Sequence, residues 1–115
     1  MLYTKNVNVT DTNVASIVTI PSGYVAHWSL LFISNLDNST NACTVYVDKT
    51  SGPDLYIIDG TGVSHKEFLL FSDAVLVLQP GDIIKASTGS SGNVEFIVTF
   101  DLLEAPATFV NFSGA

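Results

Sequence analysis

The side chains that a transition-metal site or a Cys–His catalytic centre requires are scarce in this chain. The sequence has two histidines, His27 and His65, far apart and in unlike contexts, and a single cysteine, Cys43. A transition-metal site needs several such ligands at a recognisable spacing, and a hydrolase-type serine needs a Gly-x-Ser-x-Gly turn that the chain lacks. We therefore predict that the protein is not an enzyme and has no catalytic, metal-binding or cofactor-binding residues.

Asp82 is the strongest candidate for a catalytic carboxylate, because it follows a tight turn between two apolar runs in the segment 74–87. Pro80 fixes φ for the first central position of a type II turn, and Gly81 supplies the positive φ that the second position needs. Asp82 can then accept hydrogen bonds from the amides of its own turn. We predict a structural carboxylate rather than a catalytic one.

The loop 35–41 resembles a calcium-binding loop in one respect, because oxygen-bearing side chains recur at alternate positions. An EF-type loop also needs glycine at its sixth position and a bidentate glutamate at its twelfth. Thr40 and Tyr46 stand at those two positions. No calcium site is predicted.

The charge balance excludes one class of partner and favours another. The net charge is −7, with four lysines and no arginine, so the clustered cations that a nucleic-acid binder uses against phosphates are missing. Charged residues make up 13% of the chain, against about 25% in an ordinary soluble domain. Too few charges are present to cover a small domain, which favours an obligate oligomer or a lattice component. The alternative is a monomer with a surface rich in Ser, Thr and Asn.

The cellular compartment can be predicted from three features: the single cysteine, the N-terminal residues and the length of the apolar runs. One cysteine allows no internal disulfide, and residues 1–12 have no basic region followed by an apolar stretch. No run approaches the ~18 apolar residues that span a bilayer as a helix. We expect synthesis in a cytoplasm and no membrane partner.

Short runs rich in Val, Ile, Phe and Thr, separated by clusters of Gly, Pro, Asn and Asp, predict an all-β chain. The expected strands are about 2–9, 14–20, 25–34, 42–48, 55–59, 66–71, 74–78, one starting at Asp82, and 94–103. Eight or nine short antiparallel strands predict a single-domain β-sandwich over residues 1–104, of jelly-roll or immunoglobulin-like type. Residues 105–115 form an apolar tail that docks on the domain or, as we favour, on a neighbour.

Two features predict which residues lie inside. In the last strand Val94, Phe96, Val98, Phe100 and Leu102 share one face by simple alternation. In the strand 25–34 the same alternation puts Ala26, Trp28, Leu30 and Phe32 on the core face and Val25, Leu31 and Ile33 on the other. A second face that is also apolar indicates a central strand or one covered by another subunit.

Two segments resemble parts of small all-β virion proteins of tailed bacteriophages. The front half is carried by IVTIPSGYVAHWSLLFISNLDNSTNACTVYV, where a strand ends in Ile-Pro-x-Gly and a long apolar strand runs to an Asn-rich loop. The back half is carried by LVLQPGDIIKASTGSSGNVEFIVTFDLLE, with its Leu-x-Pro-Gly-Asp turn and alternating last strand. The resemblance covers about residues 14–104. It implies a capsid decoration (cement) protein of the virion or, alternatively, a neck, tail or baseplate component, without a shared active site.

The charge-poor composition predicts a homo-oligomer. The resemblance implies that the oligomer is a trimer, made in the cytoplasm of a host bacterium, that also contacts other virion proteins such as the major capsid protein. The predicted subunit contacts are the exposed apolar residues Leu2, Tyr3, Val25, Leu31, Ile33, Phe109, Val110 and Phe112. The alternative from another class is a glycan-binding β-sandwich module that stacks sugars on exposed aromatic rings. Of its candidates Tyr24, Trp28, Tyr46 and Tyr56, we expect Trp28 to be core and only Tyr24 to be exposed.

Overall fold

A computed structural model describes residues 1–105 of the chain, except for the side chains of residues 74 and 75. This range contains eight strands: β1 (Leu2–Val9), β2 (Ala15–Thr19), β3 (Tyr24–Asn35), β4 (Asn41–Asp48), β5 (Leu55–Val63), β6 (Phe68–Leu78), β7 (Ile83–Thr88) and β8 (Val94–Glu104). The prediction of an all-β fold is confirmed. Residues 1–105 contain no helix that is long and apolar enough to cross a membrane.

The strands form two four-stranded sheets, ordered β1-β8-β3-β6 and β2-β7-β4-β5. Each strand of the first half pairs antiparallel with its counterpart from the second half: β1 with β8, β2 with β7, β3 with β6 and β4 with β5. The chain is therefore one long hairpin rolled into two layers. This is the strand order of an eight-stranded jelly roll, so the immunoglobulin-like alternative is set aside.

The core lies between the two sheets and is built by simple alternation in three strands. In β8 the residues Val94, Phe96, Val98 and Phe100 are buried, as predicted. The inner positions of β4 (Cys43, Val45 and Val47) and of β7 (Ile84 and Ala86) are fully buried against them. Burying each large apolar side chain contributes about 1.5–3 kcal/mol, so these three central strands supply much of the stabilisation.

A β-bulge in β3 overturns part of the predicted face assignment. The register with β8 shifts between Trp28 and Leu30, which leaves Ser29 as the extra residue against β8. The pairing with β6 is irregular at the same place, where residues 73–75 of β6 lie against Ser29. Trp28 is buried, as predicted, and its indole Nε1 donates to the carbonyl oxygen of Leu30 at 2.8 Å. Beyond the bulge the faces are exchanged. Leu31 and Ile33 are buried in the core, whereas Leu30 and Phe32, predicted as core, lie on the outer face.

Two strand boundaries also differ from the prediction. The two predicted strands 66–71 and 74–78 are replaced by one strand, β6, which begins at Phe68 and contains an irregularity at Asp73, where φ is 61°. Strand β5 does not end at Asp59 but continues to Val63 through a bulged stretch with Gly60 at φ 66°. The amide of Gly60 donates to Thr44 Oγ1 on β4 at 3.0 Å, which keeps the bulged strand attached.

Candidate interaction surfaces and a buried carboxylate

Asp82 is buried and fixes two loops at one end of the sandwich. The turn before it is the predicted one: Gly81 has φ 87°, and the amide of Asp82 donates to the carbonyl of Gln79 at 3.1 Å. The Asp82 carboxylate accepts from the Gln79 amide at 2.8 Å, as the turn predicted. It also accepts from the β4–β5 loop, which the sequence did not reveal: Lys49 Nζ at 2.7 Å, the Thr50 amide at 2.9 Å and Thr50 Oγ1 at 3.0 Å.

The electrostatics of Asp82 also indicate a structural role. Burial alone would raise the pKa of the Asp82 carboxyl, but the hydrogen bonds from Lys49, Thr50 and Gln79 outweigh burial and lower it below its ordinary value of 3.8. A carboxylate held ionised with four donors on its two oxygens has little capacity left to take a proton from a substrate. We name the set Asp82, Lys49, Thr50 and Gln79 the loop clamp.

The cysteine and the two histidines, the other side chains that could take part in catalysis or metal binding, lie in three different parts of the structure. Cys43 is buried in β4, and burial raises the pKa of its thiol to about 11. His27 lies half-buried on the outer face of the first sheet, and His65 is exposed between β5 and β6. Among the described residues, no three His, Cys, Asp or Glu side chains lie close enough together to hold a metal ion.

Two asparagines that the sequence offered as calcium ligands instead anchor the opposite end of the sandwich. Asn35 is fully buried: its Nδ2 donates to the carbonyls of Ser39 and Val63, and its Oδ1 accepts from the Asp37 amide at 3.0 Å. Asn41 is also buried and exchanges hydrogen bonds with Ser90 through both its amide nitrogen and its oxygen. Sequence reasoning missed these anchors because two of their partners, Val63 and Ser90, are 28 and 49 residues away in the chain.

The cavity beside the β3 bulge is too small to hold a cofactor. It measures about 30 Å³ and is lined by Trp28, Leu31, Ile57, Phe71 and Leu76, among others. That is room for about one water molecule, between walls that offer it almost no polar partner.

The outer face of the first sheet carries a contiguous apolar area, which we call the outer apolar patch: Leu30, Phe32, Phe68, Leu70 and Ile97. Phe32 lies directly opposite Leu70 on one side and Ile97 on the other. Its ring stacks on Phe68 with centroids 5.4 Å apart. Phe68 is 57% exposed and Leu70 50% exposed. Exposed apolar areas of this kind mark interaction sites, because water contact with so many large side chains is unfavourable.

The predicted contact residues are divided among three places. Leu2 is exposed on β1, and Tyr3 is exposed and stacked on Phe100 at 5.8 Å, so the edge strand β1 presents them at the surface. Val25 is half-buried on β3. Leu31 and Ile33 were predicted at the surface and are buried, because the bulge turns them inward. Phe109, Val110 and Phe112 lie outside the described residues, so their role stays a prediction.

The outer face of the second sheet carries an aromatic pair that the sequence only partly revealed. Tyr46 on β4 and Tyr56 on β5 are cross-strand partners whose rings stack with centroids 5.1 Å apart and 23° between planes. Tyr56 is 52% exposed, against 37% for Tyr24. The prediction that only Tyr24 is exposed among the aromatic candidates was therefore wrong, because the side of β5 on which Tyr56 lies could not be assigned from its sequence.

Comparison with known proteins identifies a structural neighbour but no sequence relative. No protein-family model matches the chain, and no curated protein matches it in sequence. The fold is similar to that of a chain in the acidic stable capsid structure of the Helicobacter pylori bacteriophage KHP30. The TM-score is 0.63 at 14% identity, and the match covers 91% of this chain and 93% of that chain. At this identity the likeness establishes a shared fold over the matched 91% of this chain.

Proposed function

We propose that the chain is a structural protein of a bacteriophage virion, most specifically a decoration (cement) protein on the outside of the capsid. The observation that carries the proposal is the fold shared with a phage capsid chain over 91% of this chain and 93% of that one. Because almost the whole of each chain takes part in the match, the two are similar in size as well as in fold.

The surface supports a protein that works by contact. The outer apolar patch provides a charge-free centre, and its flank on β1 and β8 is polar: Asn6 and Asn8 donate to Glu95, and Thr4 bonds to Thr99. Protein interfaces combine an apolar, charge-depleted core with a polar rim in this way. A decoration protein needs such a face to bridge neighbouring shell subunits.

The edge strand β1 offers a second kind of contact. Among the described residues it pairs with β8 on one side only, and six of its eight residues are exposed. A free edge presents unpaired backbone N–H and C=O groups that a strand of another subunit can complete. Self-association into a trimer through this edge, with the outer apolar patch on the shell, is the arrangement we favour.

Localisation in the particle tests the proposal. Antibodies against the recombinant chain are used to probe phage particles purified on a density gradient from the lysate of cells that encode it, followed by immunogold electron microscopy. Gold on the head surface is expected. Gold confined to the neck, tail or baseplate would move the assignment to our alternative, and absence of the chain from purified particles would overturn the virion assignment itself.

The assembly state is tested separately with the purified chain. Light scattering over a dilution series is expected to give a stable trimer, whereas a ring of about six or twelve copies would favour a neck or tail role. Removing residues 106–115 is expected to weaken assembly, and unchanged assembly would contradict a contact role for Phe109, Val110 and Phe112. A monomer at all concentrations would contradict homo-oligomerisation and leave only attachment to a preformed lattice.

A further inference from the structure

The two outer faces of the sandwich point in opposite directions and differ in chemistry. The first sheet exposes the outer apolar patch, and the second exposes the stacked Tyr46–Tyr56 pair among charged and hydroxyl-bearing residues. If the first face is the docking face of the proposed function, the second points away from the particle. The chemistry of the second face itself does not depend on that orientation.

The aromatic pair belongs to a row that crosses all four strands of the second sheet. Tyr56 lies opposite Tyr46, Tyr46 opposite Lys85, and Lys85 opposite Ser16. With neighbouring strands ~4.8 Å apart, the row is about 14 Å long. It is long enough to lie along a short oligosaccharide, and it ends at Tyr56, whose ring has the largest exposed fraction of the four tyrosines.

The charges beside the row are largely compensated. Lys85 Nζ lies 2.9 Å from Asp48 Oδ2, and both side chains remain partly accessible, at 24% and 40%. The hydrogen bond from Lys85 to Asp48, together with the nearby negative charge of Asp54, raises the pKa of Lys85, so all three charges act on one another. One negative charge remains uncompensated, and an acidic ligand would be repelled by it.

We propose that Tyr56, Tyr46, Asp48 and Lys85 form a binding platform for a neutral saccharide. The exposed Tyr56 ring stacks against the apolar C–H face of a pyranose, and the sugar hydroxyls donate to Asp48 Oδ1, which accepts no hydrogen bond within the described residues. Lys85 donates to a ring or hydroxyl oxygen. Stacking on a flat ring with a few directional polar groups beside it is the general arrangement for an amphipathic ligand at an exposed site.

The experiment uses the purified full-length chain and needs no virion, so its failure is separate from failure of the proposed function. Saturation-transfer difference NMR and titration of amide chemical shifts are recorded with maltohexaose, cellohexaose and, as an acidic probe, tri-galacturonic acid. At least one neutral oligosaccharide is expected to bind with shifts at β4, β5 and β7, and tri-galacturonic acid is expected not to bind. Absence of binding by both neutral probes at millimolar concentration would overturn the proposal, as would equal binding of the acidic probe.

Matched variants locate the site. Tyr56→Ala is expected to weaken binding of the neutral probe about tenfold, whereas Tyr24→Ala, which removes another exposed tyrosine outside this row, leaves it unchanged. Binding lost in Tyr24→Ala but kept in Tyr56→Ala would overturn the site. The Tm of each variant, measured by thermal unfolding, serves as the folding control. If the pair only stabilises the sheet or stacks against a second copy, Tyr56→Ala lowers Tm or self-association without any sugar binding, and the proposal fails.

Discussion

Lys49 and Asp82 join two loops that are 33 residues apart in sequence, with Lys49 Nζ 2.7 Å from Asp82 Oδ2. The Asp82 side chain is only 1% exposed and that of Lys49 is 25% exposed. The pair, with Thr50 and Gln79, closes the end of the sandwich at which the β4–β5 loop meets the β6–β7 turn. A buried carboxylate is tolerated there because all its hydrogen-bonding capacity is used locally.

Asp82→Asn is expected to lower the free energy of unfolding by about 3 kcal/mol, because it leaves the Lys49 ammonium without its partner and weakens the bonds from Thr50. Urea unfolding at pH 7, followed by tryptophan fluorescence of Trp28, measures the change. Asp59→Asn, which removes an exposed carboxylate, is the matched control and is expected to be neutral. Equal effects of the two substitutions would contradict the loop clamp.

The same carboxylate makes stability depend on pH in a defined direction. Because the folded pKa of Asp82 is lowered from its ordinary value of 3.8, its contribution is complete above that value and is lost as the pH falls below it, through the folded pKa. The difference in unfolding free energy between the wild type and Asp82→Asn should therefore shrink below about pH 4. A difference that stays constant down to pH 2 would show that Asp82 is not the titrating group.

Gly81 has a second reason to be glycine besides its turn conformation. A Cβ at this position would lie 2.8 Å from Thr50 Oγ1, the hydroxyl that donates to Asp82. Gly52 also has a positive φ, at 96°, but no atom lies within 4 Å of its Cβ position. Gly52→Ala is therefore expected to cost about 1 kcal/mol from backbone strain, and Gly81→Ala measurably more in the same urea titration. Equal costs would show that the contact with Thr50 is relieved without consequence.

Much of the fold follows from alternation and turn chemistry, and the exceptions have a common cause. Strands β1, β4 and β8 lie where alternating residues and Asn, Gly or Pro boundaries predict them. The prediction of which β3 residues face the core was wrong after Ser29. The four residues Leu30, Leu31, Phe32 and Ile33 are all apolar, so the pattern does not show where the register shifts. Only pairing with β6 and β8 fixes the bulge, and that information is not local.

The loop clamp and the Tyr46–Tyr56 pair could also be predicted only in part, because they too depend on contacts between distant strands. The turn around Pro80 and Gly81 predicted the bond between Gln79 and Asp82, but Lys49 and Thr50 reach Asp82 only because the rolled hairpin brings β4 beside β7. The Tyr46–Tyr56 pair depends likewise on the β4–β5 register, which contains two irregularities. The low content of charged residues predicted a surface poor in charge. In the described part of the chain, the outer apolar patch is such a surface.

Cys43 is expected to be chemically inert in the folded protein. It is fully buried, and burial raises the pKa of its thiol to about 11, so at pH 8 the reactive thiolate is scarce as well as inaccessible. Ellman's reagent at pH 8 should modify the native chain only at the rate of unfolding and one thiol per chain at once in denaturing urea. Rapid modification of the native protein would contradict the placement of Cys43 in the core.

The outer apolar patch is expected to carry the assembly contact of the proposed function. Phe68 and Leu70 are 57% and 50% exposed, so replacing both with serine removes apolar surface while the core between the sheets stays intact. The double variant should unfold within about 1 kcal/mol of the wild type and attach to purified particles at least about tenfold more weakly. Val14→Ser removes a similarly exposed apolar side chain, 52% accessible, outside the patch, and should attach like the wild type. Attachment that is unchanged in the double variant, or lost equally in Val14→Ser, would remove the patch as the docking face and direct attention to the β1 edge.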